Sequence, residues 1–258
     1  MNILMIGCGK MGGSLLSFWK NGNDDFTIVD PFLDSAPEGT RLVKGVEAIE
    51  GHRFDIVVVA IKPQQIDDIV PLYRDCFAED GVLLSIAAGC SIDRLKRACG
   101  GQPVIRVMPN LPAAVGAGVS GICASDDVPP ARLDQARALM QRTGTVIEVE
   151  SEDALDRVTA VAGSGPGYVF EMARAYVEAA MELGFDEADA RRMVLCTMQG
   201  TLAMAQQTGE PLEALRNSVT SKGGTTAAGL AALNGDDQFS GLIRDTLRAA
   251  YARAEELR

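Results

Sequence analysis

Gly7-Cys8-Gly9-Lys10-Met11-Gly12 follows directly on the apolar run Asn2-Ile3-Leu4-Met5-Ile6, and it opens a segment in which Met11, Leu15, Phe18 and Trp19 recur at helical spacing. A strand, a GxGxxG turn and a helix in that order read as a dinucleotide-binding unit. Gly7 permits the tight turn, Gly9 lets backbone approach a pyrophosphate, and Gly12 allows close packing of helix on strand. Cys8, Lys10 and Met11 complete the cradle, where the helix N-terminus offers free N–H groups and partial positive charge.

Working outward, short β-rich runs alternate with helical patterns as far as residue 150, the signature of a parallel sheet flanked by helices. The predicted strands are 2–6, 26–30, 41–43, 56–61, 82–86, 104–108, 119–124 and 146–149. Helices are expected from Pro63 to about Phe77, from Ser91 as N-cap, and over about 130–141. Asp30 ends the second strand, 18 residues beyond Gly12, where a carboxylate would bond the hydroxyls of the adenine ribose and repel a 2′-phosphate. That favours NADH over NADPH. Ala60, Lys62 and Pro63 follow the fourth strand and Ala87 and Ala88 the fifth, at the edge where open α/β sheets form their ligand crevice. Small residues there let a nicotinamide ring approach the backbone, while Lys62, a lone cation in the crevice, would face the ribose or phosphates, a solvated loop lysine being the alternative. The prolines of Met108-Pro109-Asn110-Leu111-Pro112 stiffen the next connection, as one wall of the site or as a structural turn.

From Ser151 the strand signals stop, which places a boundary between a dinucleotide-binding domain, 1–150, and a helical domain, 151–258. In the helix expected over 167–183, Glu171, Arg174, Glu178 and Glu182 form one narrow charged stripe and nearly everything else is apolar. The next helix, about 187–207, repeats the pattern with Met193, Val194, Leu195, Met198, Leu202 and Met204. Helices so apolar need several neighbours, so a second copy of the chain is expected to cover them.

Among 258 residues, 47% are hydrophobic and 23% charged, with a net charge of −11. That balance describes a globular chain and argues against nucleic acid or an anionic membrane as partner. No apolar stretch is long enough to span a bilayer, and the N-terminus lacks a basic region or cleavage site, so the expected location is the cytoplasm. The six scattered cysteines form no metal or disulfide pattern. The single histidine, His52, reads as a loop residue, and a Ser-His-Asp triad is excluded as improbable.

Thr220-Ser221-Lys222-Gly223-Gly224-Thr225-Thr226 is a hydroxyl-rich glycine loop whose successive N–H groups would form a nest for a small carboxylate; a plain interhelical loop with threonine caps is the alternative. Together with residues 7–12, 60–64 and 108–110, this loop strongly resembles the pyrroline-5-carboxylate reductase family. The resemblance spans the chain, and SxGGTT followed by Gly229-Leu230 is its most specific part.

The resemblance implies a Rossmann-type α/β domain followed by an all-α dimerisation domain, with homodimers that often assemble into decamers. It implies hydride transfer from NADH or NADPH to the C=N bond of Δ1-pyrroline-5-carboxylate, giving L-proline. Ser221, Gly223, Gly224 and Thr225 would hold the substrate carboxylate, and Thr226 would place its hydroxyl at the ring nitrogen as the catalytic hydrogen-bond partner. This chain departs from the family pattern at Leu111, Ala162, Gly167 and above all Lys222, where the family has proline, a change bearing on substrate affinity and selectivity. The competing readings are a reductase of another cyclic imine and a non-catalytic nucleotide-sensing protein. A β-hydroxyacid reductase is disfavoured because residues 152–187 contain no lysine for an interdomain helix.

Overall fold

The computed structural model describes every residue from Met1 to Arg258. Eight strands, β1 (Asn2–Ile6), β2 (Asp25–Val29), β3 (Arg41–Val43), β4 (Phe54–Val59), β5 (Phe77–Ser85), β6 (Val104–Met108), β7 (Gly118–Ala124) and β8 (Gly144–Glu148), form one sheet in the order 3-2-1-4-5-6-7-8. Each overlaps an expected strand, seven of them with bounds shifted by at most two residues, whereas β5 begins five residues earlier than expected, at Phe77. The order reverses between β1 and β4, the kind of switch point at which α/β sheets open a crevice.

The alternation of side chains along β1 explains why the sheet has a core on each face. Leu4 and Ile6 join Val57, Val59 and Leu83 on one side, whereas Ile3 and Met5 join Ile56, Val58 and Leu84 on the other. The second side is covered by α1 (Lys10–Trp19) through Leu15, Leu16 and Trp19, and by Leu139 and Met140 of the helix Pro130–Gln141.

Two expectations are corrected. The sheet is not wholly parallel, because β7 runs antiparallel to β6. The intervening residues, 109–117, hold only a 3-10 turn over Leu111–Val115, and a parallel return needs a crossover of about a dozen residues or more. The segment after Pro63 is not one helix either. It is a 3-10 turn, a single α-turn α2 (Ile66–Ile69) and a further 3-10 run, Val70–Cys76, because Pro71 lacks the N–H and its ring clashes with the preceding turn. By contrast α3 (Ile92–Cys99) starts as expected, with Ser91 Oγ accepting from Arg94 N–H at 3.2 Å, and α4 (Pro130–Gln141) keeps its expected bounds.

Everything after β8 is helical: α5 (Glu152–Val158), a π-helical turn Thr159–Gly163, α6 (Gly165–Glu182), α7 (Glu187–Thr208), α8 (Leu212–Ser218), α9 (Thr225–Asn234) and α10 (Gln238–Leu257). The chain forms two compact units, Met1–Pro166 with Ala249–Arg258, and Gly167–Arg248. The change from strand to helix at Ser151 and the division into compact units therefore fall at different places, because α5 and the π turn pack on the sheet. Leu155 and Val158, for instance, stand against Gly121 of β7.

In the helical unit, Arg174 pairs with Glu171 at 2.7 Å and with Glu178, which forms the charged stripe. Phe170, Tyr176, Met193, Leu195 and Leu202 lie exposed, and only Ala173 and Ala180 of α6 are buried. No helix is long and apolar enough to cross a membrane.

Candidate functional site

The parallel register Ile6↔Val29, Ile6↔Val59 and Val59↔Ser85 brings the ends of β1, β2, β4 and β5 to one edge of the sheet. A cavity of about 600 Å³ opens there, and Gly7, Cys8, Gly9, Asp30, Ala60 and Lys62 line it. These six expected residues thus come together from three strand ends.

The backbone of the glycine turn explains its composition. Gly7 has φ +82°, and a Cβ there would lie 2.8 Å from Ile61 Cγ2 and 2.9 Å from the Ala60 carbonyl oxygen, so only glycine fits. Its N–H bonds to Val29 O at 2.9 Å, stitching the turn to β2. Gly9 is the N-cap of α1, with no side-chain cap and open space where a Cβ would stand. The first-turn N–H groups of Lys10 and Met11 are therefore left for an incoming acceptor. Gly12 is buried, and a Cβ there would come 2.6 Å from Met5 Cε, so it serves the packing of α1 on β1.

Asp30 is engaged at both carboxylate oxygens. Oδ2 accepts from Cys8 N–H at 2.8 Å and Oδ1 from Phe32 N–H at 2.9 Å. With Gly7 N–H on Val29 O, two donors of the glycine turn are therefore already occupied, and the carboxylate is held at the rim with lone pairs to spare for ribose hydroxyls. Burial, and after it the Asp30 charge, pushes the Cys8 thiol up from its ordinary range, so it stays neutral beside the turn.

Of the other expected cofactor residues, Lys10, Met11, Gly12, Pro63, Ala87 and Ala88 lie outside the cavity lining. Pro63 starts the 3-10 turn that Lys62 precedes, and Lys62 itself is exposed. Ala87 is buried, its N–H bonding Ser85 Oγ at 3.2 Å, while Ala88 is exposed on the loop after β5. Asn110, left open between wall and turn, is a buried clasp: its amide nitrogen donates to Ala162 O at 3.0 Å and its oxygen accepts from Val119 N–H at 2.8 Å.

Sequence reading missed Phe32, Lys44, Leu72 and Tyr73 in the lining. Lys44 follows the end of β3, beside β2, and its ammonium donates to Pro31 O at 3.4 Å and to Leu33 O. That position was a usable signal, since β3 ends at the same edge as Asp30. Phe32 is 89% exposed, a ring offered at the cavity rim with nothing of this chain covering it. Tyr73 is buried, and burial above all pushes its hydroxyl up to about 12.

The second group of expected residues lies in the helical unit. Gly224 N–H bonds Ser221 O at 3.0 Å, and Gly223 has φ +73°, so Ser221-Lys222-Gly223-Gly224 is a type II turn with Lys222 at its second position. Proline is favoured at that position because its fixed φ pre-sets the turn. A Cβ at Gly224 would overlap Ser221 Oγ, which puts that hydroxyl directly against the start of α9. Gly224 caps α9 without a side-chain hydrogen bond, and Thr225 and Thr226 form the exposed first turn. Hydroxyls and unpaired N–H groups at one helix N-terminus can receive a small carboxylate.

Comparisons with known proteins agree in both units. A family model described as pyrroline-5-carboxylate reductase dimerisation matches residues 152–257, and one described as NADP oxidoreductase, coenzyme F420-dependent, matches residues 2–89. A pyrroline-5-carboxylate reductase of Staphylococcus epidermidis is 36% identical over 269 aligned positions, covering 100% of this chain and 98% of its own length. One from Synechocystis sp. is 37% identical over 203 residues, covering 79% of this chain and 75% of its own. Among solved structures, a pyrroline-5-carboxylate reductase from Coxiella burnetii has a TM-score of 0.91 at 31% identity, covering 99% of this chain and 98% of that one. A Plasmodium falciparum pyrroline carboxylate reductase with NADP bound has a TM-score of 0.86 at 24% identity, covering 100% and 98%, a likeness of fold.

Proposed function

The chain belongs to the pyrroline-5-carboxylate reductase family, and from that premise we propose that it reduces the C=N bond of Δ1-pyrroline-5-carboxylate at the expense of a nicotinamide dinucleotide, giving L-proline. The observation that carries this reading is the Ser221–Thr226 turn, with its αL Gly223, its hydroxyl against Gly224 and its uncapped helix start. Bound at the sheet edge, a reduced nicotinamide supplies the hydride.

The residues of this chain then bind and orient. Gly7, Cys8 and Gly9 with the first turn of α1 hold the pyrophosphate, Asp30 the adenine ribose, Lys62 faces the ribose or phosphates, and Ala60, Pro63, Ala87 and Ala88 border the nicotinamide. The Ser221, Gly223, Gly224 and Thr225 segment holds the substrate carboxylate, and Thr226 Oγ1 bonds the ring nitrogen. With that nitrogen protonated, hydride adds at C5 and the C=N π pair becomes the nitrogen lone pair, which water reprotonates. No strong protein acid is required, so the rate rests on positioning and electrostatics.

Asp30 supports NADH as the preferred cofactor. Residues 1–150 are the dinucleotide-binding part and 151–258 the substrate-binding and dimerisation part, in which the exposed apolar faces of α6 and α7 support a homodimer as the unit of any decamer. Six free thiols suit a reducing compartment, in keeping with a cytoplasmic enzyme.

The test is oxidation of NADH and of NADPH by the purified protein with pyrroline-5-carboxylate, beside a control without imine. Imine-dependent oxidation is expected with both cofactors, faster with NADH. Oxidation only with a different cyclic imine would make this a reductase of that ring. Cofactor binding without oxidation would make it a nucleotide-sensing protein.

A further inference from the structure

Up to Arg248 the helix α10 belongs to the helical unit, but residues 249–258 belong to the dinucleotide unit. Ala254, in this last stretch, is the one buried residue of the whole helix.

The contacts of this stretch converge on the loop after β5. A Cβ on Gly89 would lie 2.6 Å from the Leu257 carbonyl oxygen and 3.3 Å from Leu257 Cβ, so the two backbones meet where only glycine leaves room. Two side-chain ties anchor the helix end to α5. Tyr251 Oη donates to Asp153 Oδ1 at 2.5 Å, with the Arg157 guanidinium carbon 6.0 Å from the Tyr251 ring centroid. Arg258 Nη1 lies 3.2 Å from the buried Asp156 Oδ2, an ion pair without hydrogen-bond alignment.

The same α5 holds the other end of the loop. Glu152 Oε1 accepts from Ile92 N–H at 2.8 Å, one residue past the Ser91 cap, and pairs with Arg106 of β6. Between Ile86, bonded through its N–H to Val59 O, and the buried Cys90, the loop is Ala87-Ala88-Gly89, which has no side chain long enough to anchor itself. Beyond the burial of Ala87 and its N–H bond to Ser85 Oγ, the support of Ala88 and Gly89 comes from outside the loop.

We propose that the final turns of α10 position the Ala87–Gly89 loop for hydride transfer, with Tyr251, Arg258 and the Leu257 backbone as positioning residues that touch neither substrate nor cofactor. The proposal rests on the reading that Ala87 and Ala88 face the nicotinamide.

The experiment compares the wild-type enzyme with Tyr251→Phe/Arg258→Met, and separately with Ala88→Leu. Four quantities are read: Kd for ADP-ribose, which reports the adenosine and pyrophosphate half alone; Kd for NADH; kcat and KM for the imine; and the isotope effect with cofactor deuterated at the transferring position. In the double variant kcat should fall on the order of tenfold with a larger isotope effect, while ADP-ribose affinity stays within about twofold. Should the double variant be unstable, Tyr251→Phe alone, which removes one hydroxyl, is read the same way. An unchanged kcat, or an ADP-ribose affinity that falls in step with kcat, overturns the positioning role. If Ala88→Leu damages NADH binding or turnover while the α10 variants are silent, the proposal alone fails. If Ala88→Leu is itself silent, the loop does not face the nicotinamide, and the proposal falls with that reading.

Discussion

Replacing Asp30 with asparagine separates the charge of that side chain from its hydrogen bonding. Its two oxygens accept from Cys8 N–H at 2.8 Å and Phe32 N–H at 2.9 Å, so asparagine keeps one acceptor and leaves one N–H at the rim, where water can take it. The cost in stability is about 1 kcal/mol. The effect on cofactor choice is larger. A carboxylate about 5 Å from a 2′-phosphate is opposed, per unit of phosphate charge, by about 1 kcal/mol in water-like surroundings and about 3 kcal/mol at an effective dielectric of about 20. Asp30 is half-buried, between these limits. The ratio of kcat/KM for NADH to that for NADPH should therefore drop about fivefold to a hundredfold in Asp30→Asn. Most of the change should come as a gain with NADPH, because relief of repulsion acts on the phosphorylated cofactor alone. Initial rates with each cofactor at fixed imine, together with Kd for each, measure it. An unchanged ratio would refute Asp30 as the discriminating group, and with it the proposed NADH preference.

Thr226→Ala should lower kcat by about tenfold or more while leaving Kd for NADH intact, since it removes one hydrogen bond at the reacting nitrogen and nothing from the dinucleotide unit; equal kinetics would exclude Thr226 from the mechanism. Lys222→Pro puts the favoured residue at the second position of the Ser221–Gly224 turn and should raise stability by about 0.4 to 1 kcal/mol, read from the denaturation midpoint; a lower midpoint would mean that the turn needs the Lys222 N–H or a different φ. Stability should fall on acidification. Bonds from Arg94, Arg132, Arg137 and Arg174 hold the carboxyls of Asp67, Asp80, Glu148 and Glu171 below the ordinary range. The folded chain thus binds fewer protons than the unfolded one, and the stability present above the ordinary carboxyl range is lost as pH falls through the lowered values. Asp156, raised by burial, acts the other way, so its protonation favours the fold. Asp127, Asp153 and Asp237 are lowered as well, and with seven carboxyls against one the thermal midpoint should be lower at pH about 3 than at pH about 7; a level midpoint would contradict this account.

The parts legible in the sequence are those encoded locally. Strand, glycine turn and helix at residues 2–19 specify the switch-point architecture because Gly7 and Gly12 answer to steric demands from β1 and the end of the adjacent β4, as the Ala60 carbonyl does for Gly7, while Gly9 leaves space open at the start of the helix. The charged stripe of α6 is legible for the same reason, since partners three and four apart meet on any helix. What escaped is set by tertiary placement. The direction of β7 depends on whether residues 109–117 can cross over, and its apolar run reads alike in either direction. Phe32, Lys44, Leu72 and Tyr73 reach one cavity from separate connections with no shared period. The return of residues 249–258 to the dinucleotide unit is invisible in a helical pattern, which shows that α10 forms and not where its end packs.

The way individual helices begin links the two groups of site residues. Helices α3, α5 and α7 start at Ser91, Ser151 and Asp186, each of which satisfies an N–H of its own first turn. These ends are electrically closed by the chain itself. Helices α1 and α9 start instead at Gly9 and Gly224, with no side-chain cap and no acidic residue in the first turn. Glycine there in place of serine or aspartate forgoes a few tenths of a kcal/mol per helix and leaves the N–H groups open. A negatively charged ligand recovers that energy, and each of these helices follows a glycine turn with positive φ, at Gly7 and at Gly223, that leaves room for one. One start suits a diphosphate and the other, flanked by Ser221, Thr225 and Thr226, a single carboxylate. Serine at Gly9 should accordingly stabilise the empty protein and weaken cofactor binding, two effects of opposite sign from one substitution, read by thermal midpoint and by Kd for ADP-ribose. A Gly9→Ser variant that binds ADP-ribose as tightly as the wild type would show that the uncapped start of α1 is not what receives the phosphates.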